Sequence, residues 1–362
     1  MLRRVLPRGA WSVAALAGIV NAACFVTSVP PPAVPEQEGA FPLDLVWEDK
    51  IGSGFSGNII VTDSVIYAGA LDRKVYAIET STGRELWNKK LRGALVGGVA
   101  HSGDTLFLGS DRPGGRIRAV RSLDGKEIWE ERTDRISVPL LVTDGKVIGH
   151  GIHGFLLALR TSDGAFEWEQ ELGVALAAPL LGEDGNLVAT TLDTIYRISL
   201  EDGRVVQRMS APGSITSNWT EAGPYLIAGT TSGTIFKMDR RDLNIVWQVR
   251  VESEVLVSPA VSGDTVFVVT RPGNVYRIDP DPVPEATLIA ALEWPVTAPL
   301  SRYDRWLLLG GADGVIRALE VDGTEAWQIA LWRPIAVAPI VLPDGLIALG
   351  GTGDIHRLAA RQ

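Results

Sequence analysis

Residues 77–87 read Ala-Ile-Glu-Thr-Ser-Thr-Gly-Arg-Glu-Leu-Trp, and this stretch carries the pattern that decides the fold. It joins an apolar run to a second short run through a Thr-Gly turn, which is a hairpin signal, and it ends on a tryptophan. Segments of the same form end at Trp129 and Trp168. Self-similarity at a fixed period is the signature of a repeat architecture.

Tryptophan marks this period along the chain at intervals of about 40 residues, with Gln207 and Thr287 at the two places where the series lacks a tryptophan. The series is Trp47, Trp87, Trp129, Trp168, Trp247 and Trp327. Prolines keep the same interval or a multiple of it at Pro139, Pro179, Pro259, Pro299 and Pro339. Because residues 43–362 span 320 positions, the period predicts eight units.

Each unit contains four short runs of apolar and β-branched residues separated by turn residues, as in 58–61, 65–69, 74–78 and 85–87. The sequence therefore predicts an all-β, eight-bladed β-propeller of four-stranded blades. The first strand of each unit is expected near the axis, buried on both faces. The six tryptophans of the series are expected to be structural, each covering a seam between blades with its indole N–H on a backbone carbonyl.

The two ends of the repeat region complement each other. The last unit, from about residue 336, contains three strand-like runs and lacks an outer one. Residues 43–48 form an outer strand that has no blade of its own. Pairing of these segments would close the ring and satisfy both sheet edges, so we expect the N-terminal strand to complete the last blade.

Composition restricts the chemistry. The net charge of −9 disfavours a nucleic-acid partner, because phosphate binding requires clustered Lys and Arg. A single cysteine, Cys24, excludes an intramolecular disulfide. Among the four histidines only His150 and His153 are close in sequence, and without a third ligand nearby they predict turn residues better than a metal site. We therefore expect no catalytic, metal or cofactor site.

The N-terminus indicates export. Residues 1–23 contain Arg3, Arg4 and Arg8 and most of an apolar stretch, which predicts an export signal, and residues 24–42 form a Pro-rich linker. Residues 19–24 resemble a bacterial lipobox that would place a lipid on Cys24, although Asn21 departs from its aliphatic pattern. Cleavage without lipid and an uncleaved anchor are the alternatives. Each outcome places the propeller, residues 43–362, in the periplasm or at the outer membrane.

The stretch 77–87 resembles the tryptophan-docking motif of the quinoprotein-type (PQQ-like) propellers, and 119–129 and 158–168 match it. Enzymes of that superfamily hold pyrroloquinoline quinone beside a disulfide of neighbouring cysteines, which this chain cannot form. The length, blade number and export signal are similar to those of the BamB family, lipoproteins that scaffold outer-membrane barrel assembly. The resemblance implies a non-enzymatic envelope scaffold; a quinone-dependent oxidoreductase or a ligand-sensing propeller is the alternative.

The resemblance also implies a mode of docking. BamB proteins bind their barrel partner through a Leu-x-Leu-Arg connection and an Asp-x-Asp connection between blades. By tryptophan register the corresponding segments are 172–178 and 210–216, which contain no arginine and no paired aspartates. Leu172 and Leu176 are the only residues that carry over.

A second candidate surface follows from propeller geometry, in which outer-to-inner connections and second-to-third turns share one face. Arg271, Trp294, Trp332 and Arg333 are predicted there, and Trp and Arg are enriched in interface hot spots. The alternative is that the two tryptophans cap neighbouring strands. We expect a monomeric propeller whose partners are envelope proteins, with the barrel-assembly machinery as the candidate and with membrane association through the N-terminus.

Overall fold

A computed structural model describes residues 43–360 except 56, 57, 96, 112, 113, 137, 176, 183, 216, 332 and 336. The described residues form 32 strands, and no helix suited to cross a membrane is found among them. The predicted export signal (1–23), the linker (24–42) with Cys24, and the candidate residues Leu176 and Trp332 lie outside the described residues.

The strands are two to eight residues long. They are β1 (Leu43–Lys50), β2 (Ile60–Val61), β3 (Val65–Ala70), β4 (Lys74–Glu79), β5 (Glu85–Lys90), β6 (Val99–Ser102), β7 (Thr105–Ser110), β8 (Arg116–Arg121), β9 (Glu127–Arg132), β10 (Leu141–Thr143), β11 (Lys146–His150), β12 (Phe155–Arg160), β13 (Phe166–Glu171), β14 (Leu180–Leu181), β15 (Leu187–Thr190), β16 (Thr194–Ile198), β17 (Val205–Ser210), β18 (Thr220–Ala222), β19 (Tyr225–Gly229), β20 (Thr234–Asp239), β21 (Ile245–Arg250), β22 (Ala260–Ser262), β23 (Thr265–Val269), β24 (Asn274–Asp279), β25 (Glu285–Ala291), β26 (Ser301–Tyr303), β27 (Trp306–Gly310), β28 (Val315–Leu319), β29 (Glu325–Ala330), β30 (Ile340–Leu342), β31 (Gly345–Leu349) and β32 (Asp354–Ala360).

These strands form eight antiparallel four-stranded sheets, which confirms the predicted eight-bladed propeller. Blades 1 to 7 are β2–β5, β6–β9, β10–β13, β14–β17, β18–β21, β22–β25 and β26–β29, and blade 8 is β30–β32 with β1. Eight apolar clusters each join two neighbouring blades, including blades 8 and 1. The core is therefore a ring of interfaces between blades.

The N-terminal strand closes the ring as the sequence predicts. β1 pairs antiparallel with β32, from Leu43 opposite Ala360 to Lys50 opposite Asp354. Leu43 is buried in the apolar cluster that joins blades 7 and 8. The first strand thus completes the last blade and contributes to its packing against the neighbouring blade.

The innermost strands differ from the expectation. They are only two to four residues long, and β10, β14, β18, β26 and β30 contain no fully buried residue. The prediction that they are buried on both faces is wrong. A propeller leaves a central channel, so side chains that point toward the axis have no opposing layer.

Outer-strand side chains connect blades 8, 1, 2, 3 and 4 each to the following blade. Their ring or amide nitrogens donate to carbonyls in the turn between the third and fourth strands of the following blade. These bonds are Trp47 Nε1 to Thr80 O (3.0 Å), Trp87 Nε1 to Ser122 O (3.0 Å), Trp129 Nε1 to Thr161 O (2.8 Å), Trp168 Nε1 to Leu200 O (3.0 Å) and Gln207 Nε2 to Asp242 O (2.7 Å). Gln207 therefore makes the same kind of contact as the tryptophan that it replaces. In blade 5 the predicted bond is wrong for Trp247, whose Nε1 is buried with no hydrogen-bond partner among the described residues.

A glycine in that turn makes room for the indole ring. A Cβ added to Gly203 would lie 2.5 Å from Trp168 Cε3, and Gly203 has a φ of +72°. Leu243 replaces this glycine where Gln207 replaces the tryptophan, and it keeps a φ of +61°. The ring, more than the backbone conformation, therefore excludes a side chain at this position.

Replacing Gly203 with alanine is expected to lower the free energy of unfolding by about 2 to 4 kcal/mol, because strain from positive φ adds to a collision with Trp168. The matched control is Gly145→Ala, at a φ of +69° with no atom within 4 Å of the added Cβ. We expect the control to lose only about 1 kcal/mol in urea unfolding. Equal losses in the two variants would show that the indole does not fix the turn.

Candidate protein-interaction face

One end of the propeller, here named the connection face, consists of the links between blades and the second-to-third turns within blades. The links are residues 51–59, 91–98, 133–140, 172–179, 211–219, 251–259, 292–300 and 331–339, and the turns are 71–73, 111–115, 151–154, 191–193, 230–233, 270–273, 311–314 and 350–353. Among the described residues, this face contains the candidate positions Arg271, Trp294, Arg333 and Leu172.

Arg271 lies in the turn between β23 and β24. Its Nη1 is 3.0 Å from Glu254 Oε2, and its backbone N–H donates to Glu254 O at 2.8 Å. The Arg271 side chain is 68% exposed while that of Glu254 is 37% exposed. The guanidinium therefore projects farther into solvent than its carboxylate partner.

Trp294 follows β25 and is half-buried. The guanidinium carbon of Arg317 lies 4.1 Å from the centre of its ring, and Arg317 Nη2 donates to Asp313 Oδ2 at 2.7 Å. Arg317 lies inside the apolar strand β28 and was not among the residues predicted from the sequence. A signal was present, because Arg317 occupies the strand position that Tyr76, Tyr196 and Tyr276 take in other blades.

Arg333 lies in the link between blades 7 and 8, with its Nε 3.9 Å from Asp354 Oδ2. Glycines in the neighbouring turns lie close to Trp294 and Arg333. A Cβ added to Gly273 would lie 3.0 Å from Trp294 O, and a Cβ added to Gly311 would lie 3.0 Å from Trp294 Cε3. A Cβ added to Gly314 would lie 2.5 Å from Arg333 N. Arg271, Trp294 and Arg333 therefore belong to one continuous band across blades 6 to 8. We name the set Arg271, Trp294, Asp313, Arg317 and Arg333 the Trp294 arc.

Leu172 lies elsewhere on the connection face, between blades 3 and 4. It is half-buried against the apolar cluster of these blades, its N–H donates to Gly154 O at 2.8 Å, and its carbonyl accepts from Tyr196 Oη at 3.3 Å. The structure therefore gives Leu172 a packing role. Among the described residues of this region, Val174 and Leu192 are exposed apolar residues that the sequence pattern did not single out.

The two neighbouring histidines have separate partners. His150 is buried at the end of β11, where its Nε2 lies 2.9 Å from Gly173 O, and burial lowers its pKa to about 4. His153 is exposed, its Nδ1 contacts Asp134, and its backbone N–H donates to Asp134 Oδ2 at 2.9 Å. Within the described residues no three potential ligands converge on a metal position.

The buried His150 is expected to make stability depend on pH. The unfolded chain binds a proton near pH 6.5 and the folded chain only near pH 4, so the free energy of unfolding falls as the pH drops through this window. Between pH 7.5 and pH 5 the loss should be about 2 kcal/mol. Chemical denaturation at several pH values measures this loss. His150→Gln should abolish it, and His153→Gln should retain it. If the free energy of unfolding of His150→Gln depends on pH as steeply as that of the wild-type chain, His150 is not its source.

Cavities lie at seams between blades on the opposite end of the propeller. One, of about 480 Å³, lies between blades 8 and 1 and is lined by turn residues with Asp344 and Arg357. Another, of about 400 Å³, lies between blades 3 and 4 and includes Lys146 and Glu201. Arg357 Nη2 donates to Asp344 Oδ1 at 2.5 Å, so its charge is already compensated.

Comparison with known proteins identifies one family. The family model described as outer membrane protein assembly factor BamB matches residues 44–174, 113–220 and 193–282. The BamB protein of Yersinia pestis is 26% identical over 98% of each chain, and that of Escherichia coli K12 is 26% identical over 89% of each. The crystal structure of BamB from Moraxella catarrhalis superposes with a TM-score of 0.76 at 17% identity, covering 88% of this chain and 99% of that one. The C-terminal WD40 domain of Sif2 has a TM-score of 0.69 at 12% identity, which reflects the fold alone.

Proposed function

Because the chain belongs to the family of outer membrane protein assembly factor BamB, we propose that it is a non-enzymatic scaffold in the assembly of outer-membrane β-barrel proteins. The observation that carries the proposal is the extent of the family match, which runs from residue 44 to residue 282 and agrees with relatives aligned over almost the whole chain. The scaffold acts by binding other proteins.

We propose the connection face as the docking surface and an envelope protein, a component of the barrel-assembly machinery, as the partner. Support comes from the Trp294 arc, which groups a half-buried tryptophan with two exposed arginines, the residue types that dominate interface energies. The docking motifs that the resemblance implies are absent from 172–178 and 210–216. We therefore place the main contact on blades 6 to 8.

The location follows from the same premise. We propose that residues 1–23 direct export, that residues 24–42 link the propeller to the membrane, and that Cys24 carries a lipid at the outer membrane. The ring closes within one chain through β1 and β32, so blade 8 needs no strand from a second copy, and we propose that the propeller acts as a monomer.

Affinity purification from the native envelope tests this function. The full-length chain with a C-terminal tag should recover a component of the outer-membrane barrel-assembly machinery, identified by mass spectrometry, and a tagged exported protein of unrelated fold should not. A strain that lacks the chain should contain less folded outer-membrane barrel protein. Recovery without such a component would contradict the proposal.

A second arm tests the enzymatic alternative. Pyrroloquinoline quinone and Ca²⁺ are added to the purified chain, and dye-linked oxidation of alcohols and sugars is measured. The scaffold proposal expects no turnover above that of the cofactor alone. Turnover that depends on the protein would favour the oxidoreductase.

A further inference from the structure

Arg317 is a buried cation whose environment differs from that of its counterpart in blade 2. Arg118 lies opposite Glu130 in the strand pair of blade 2 and donates to it, whereas Arg317 lies opposite Gln328 in blade 7. The side chain of Arg317 is only 10% exposed, and its Nη1 is buried with no hydrogen-bond partner among the described residues. Its charge is shared between Asp313 and the ring of Trp294.

This arrangement fixes the position of the indole. The guanidinium lies against one side of the Trp294 ring, and Gly311 allows a close approach at the ring edge. A cation over an aromatic face attracts it electrostatically. Trp294 is therefore held in one orientation before any partner binds, which reduces the entropy lost on binding.

We infer that the Trp294–Arg317 stack is a preformed anchor for an acidic segment of a protein partner. The exposed side of Trp294 packs on an apolar side chain of that segment, and Arg271 and Arg333 pair with its carboxylates. Arg317 is a positioning residue that acts through Trp294. The inference rests on the proposed scaffold function and names the chemistry that its docking surface recognises.

The relative exposure of the charges favours an acidic segment. Arg333 is 54% exposed while Asp354 beneath it is 18% exposed, and Arg271 likewise projects beyond Glu254. Both guanidinium groups can therefore meet an incoming carboxylate without losing their own partners. Glu252 and Glu293 are exposed in the neighbouring links and would repel a continuous anionic surface, so single carboxylates fit better than an anionic membrane.

Binding measurements on three single variants, one double variant and a control variant test the inference. The probe is the assembly component that the wild-type chain recovers, immobilised for biolayer interferometry. We expect Trp294→Ala to weaken binding at least tenfold, Arg333→Gln three- to tenfold with a larger effect at low salt, and Arg317→Met severalfold. When Trp294 is already replaced by alanine, Arg317→Met should cause no further loss of affinity. Arg84→Gln is the matched control, because Arg84 is 67% exposed, pairs with Glu79 at 3.3 Å and lies on the opposite face.

The outcomes separate the inference from the proposed function. Thermal unfolding first establishes that each variant is folded. If Trp294→Ala binds the assembly component as well as the wild-type chain does, the inference is wrong and the scaffold function stands. If the wild-type chain recovers no assembly component, both the inference and the proposed function fail. A further loss from Arg317→Met in the Trp294→Ala background would overturn the positioning role. Binding to vesicles of phosphatidylglycerol and phosphatidylethanolamine is measured as well. If Arg333→Gln weakens binding to the vesicles and leaves binding to the protein partner unchanged, the site recognises lipid and the inference is wrong.

Discussion

Replacing Glu130 with glutamine is expected to lower the free energy of unfolding by about 3 to 5 kcal/mol. Glu130 accepts hydrogen bonds from two arginines, with Arg116 Nη1 at 2.5 Å and the Nε of Arg118 on its other oxygen. The Arg118 side chain is only 2% exposed, so without the carboxylate it would keep a buried charge with no counter-ion. The cost is expected because guanidinium stays protonated under all ordinary conditions.

Two comparisons define this prediction. Glu79→Gln removes a carboxylate from the exposed pair with Arg84, and it should cost much less than Glu130→Gln because solvent screens this pair. The double variant Arg118→Met, Glu130→Leu should lose less than Glu130→Gln alone, because it removes the buried charge together with its partner. Urea unfolding of the full chain measures all three, and equal losses for Glu130→Gln and Glu79→Gln would show that burial does not amplify the pair.

The repeat could be predicted because its determinants lie within single units. A tryptophan every 40 residues or so and a Thr-Gly or Asp-Gly turn before it are local patterns, and they define both the blade and its length. Closure was also predictable, since an outer strand without a blade at residue 43 and a missing outer strand after the run 354–358 can be counted without knowing any contact.

Contacts between blades could be predicted only in part. Arg317 reaches Trp294 across 23 positions, and the corresponding Arg118 turns instead to Glu130 in its own blade. The partner of the arginine depends on the residue opposite it in the strand pair, which is Gln328 for Arg317 and Glu130 for Arg118. The repeat pattern does not specify that residue. The partial exposure of the inner strands was not predicted either. Their apolar residues indicate burial, but their exposure depends on the space left at the propeller axis, which the sequence of a single unit does not specify.

The docking surface proposed for this chain differs from that of the family pattern. The links at 172–178 and 210–216 contain no arginine and no paired aspartates, and Leu172 packs against the core there. The charged and aromatic residues are found two seams farther along the ring, on blades 6 to 8. A propeller permits such a shift because every blade presents the same kind of link on the same face.

Replacing Leu43 with alanine is expected to lower the free energy of unfolding by about 2 to 5 kcal/mol, the range for truncating a buried leucine. Leu43 is 1% exposed and packs among residues of blades 7 and 8, including Leu358, Leu346 and Trp327. It begins the only strand of blade 8 that comes from the other end of the chain. The cavity would therefore weaken the packing of the blade at the point where the ring closes.

Leu45→Ala on the same strand is the control, because Leu45 is 49% exposed and its truncation should cost less than about 1 kcal/mol. Hydrogen exchange distinguishes local from global effects: Leu43→Ala should increase exchange first in the amides of β1 and β32, while the amides of β16 and β20 stay protected until the whole chain unfolds. If exchange increases equally in all blades, the closure strand is no weaker than the rest of the ring. If exchange increases in blade 8 alone, the ring opens where β1 and β32 meet. Arg333, the last residue of the Trp294 arc, lies beside this strand pair through its contact with Asp354.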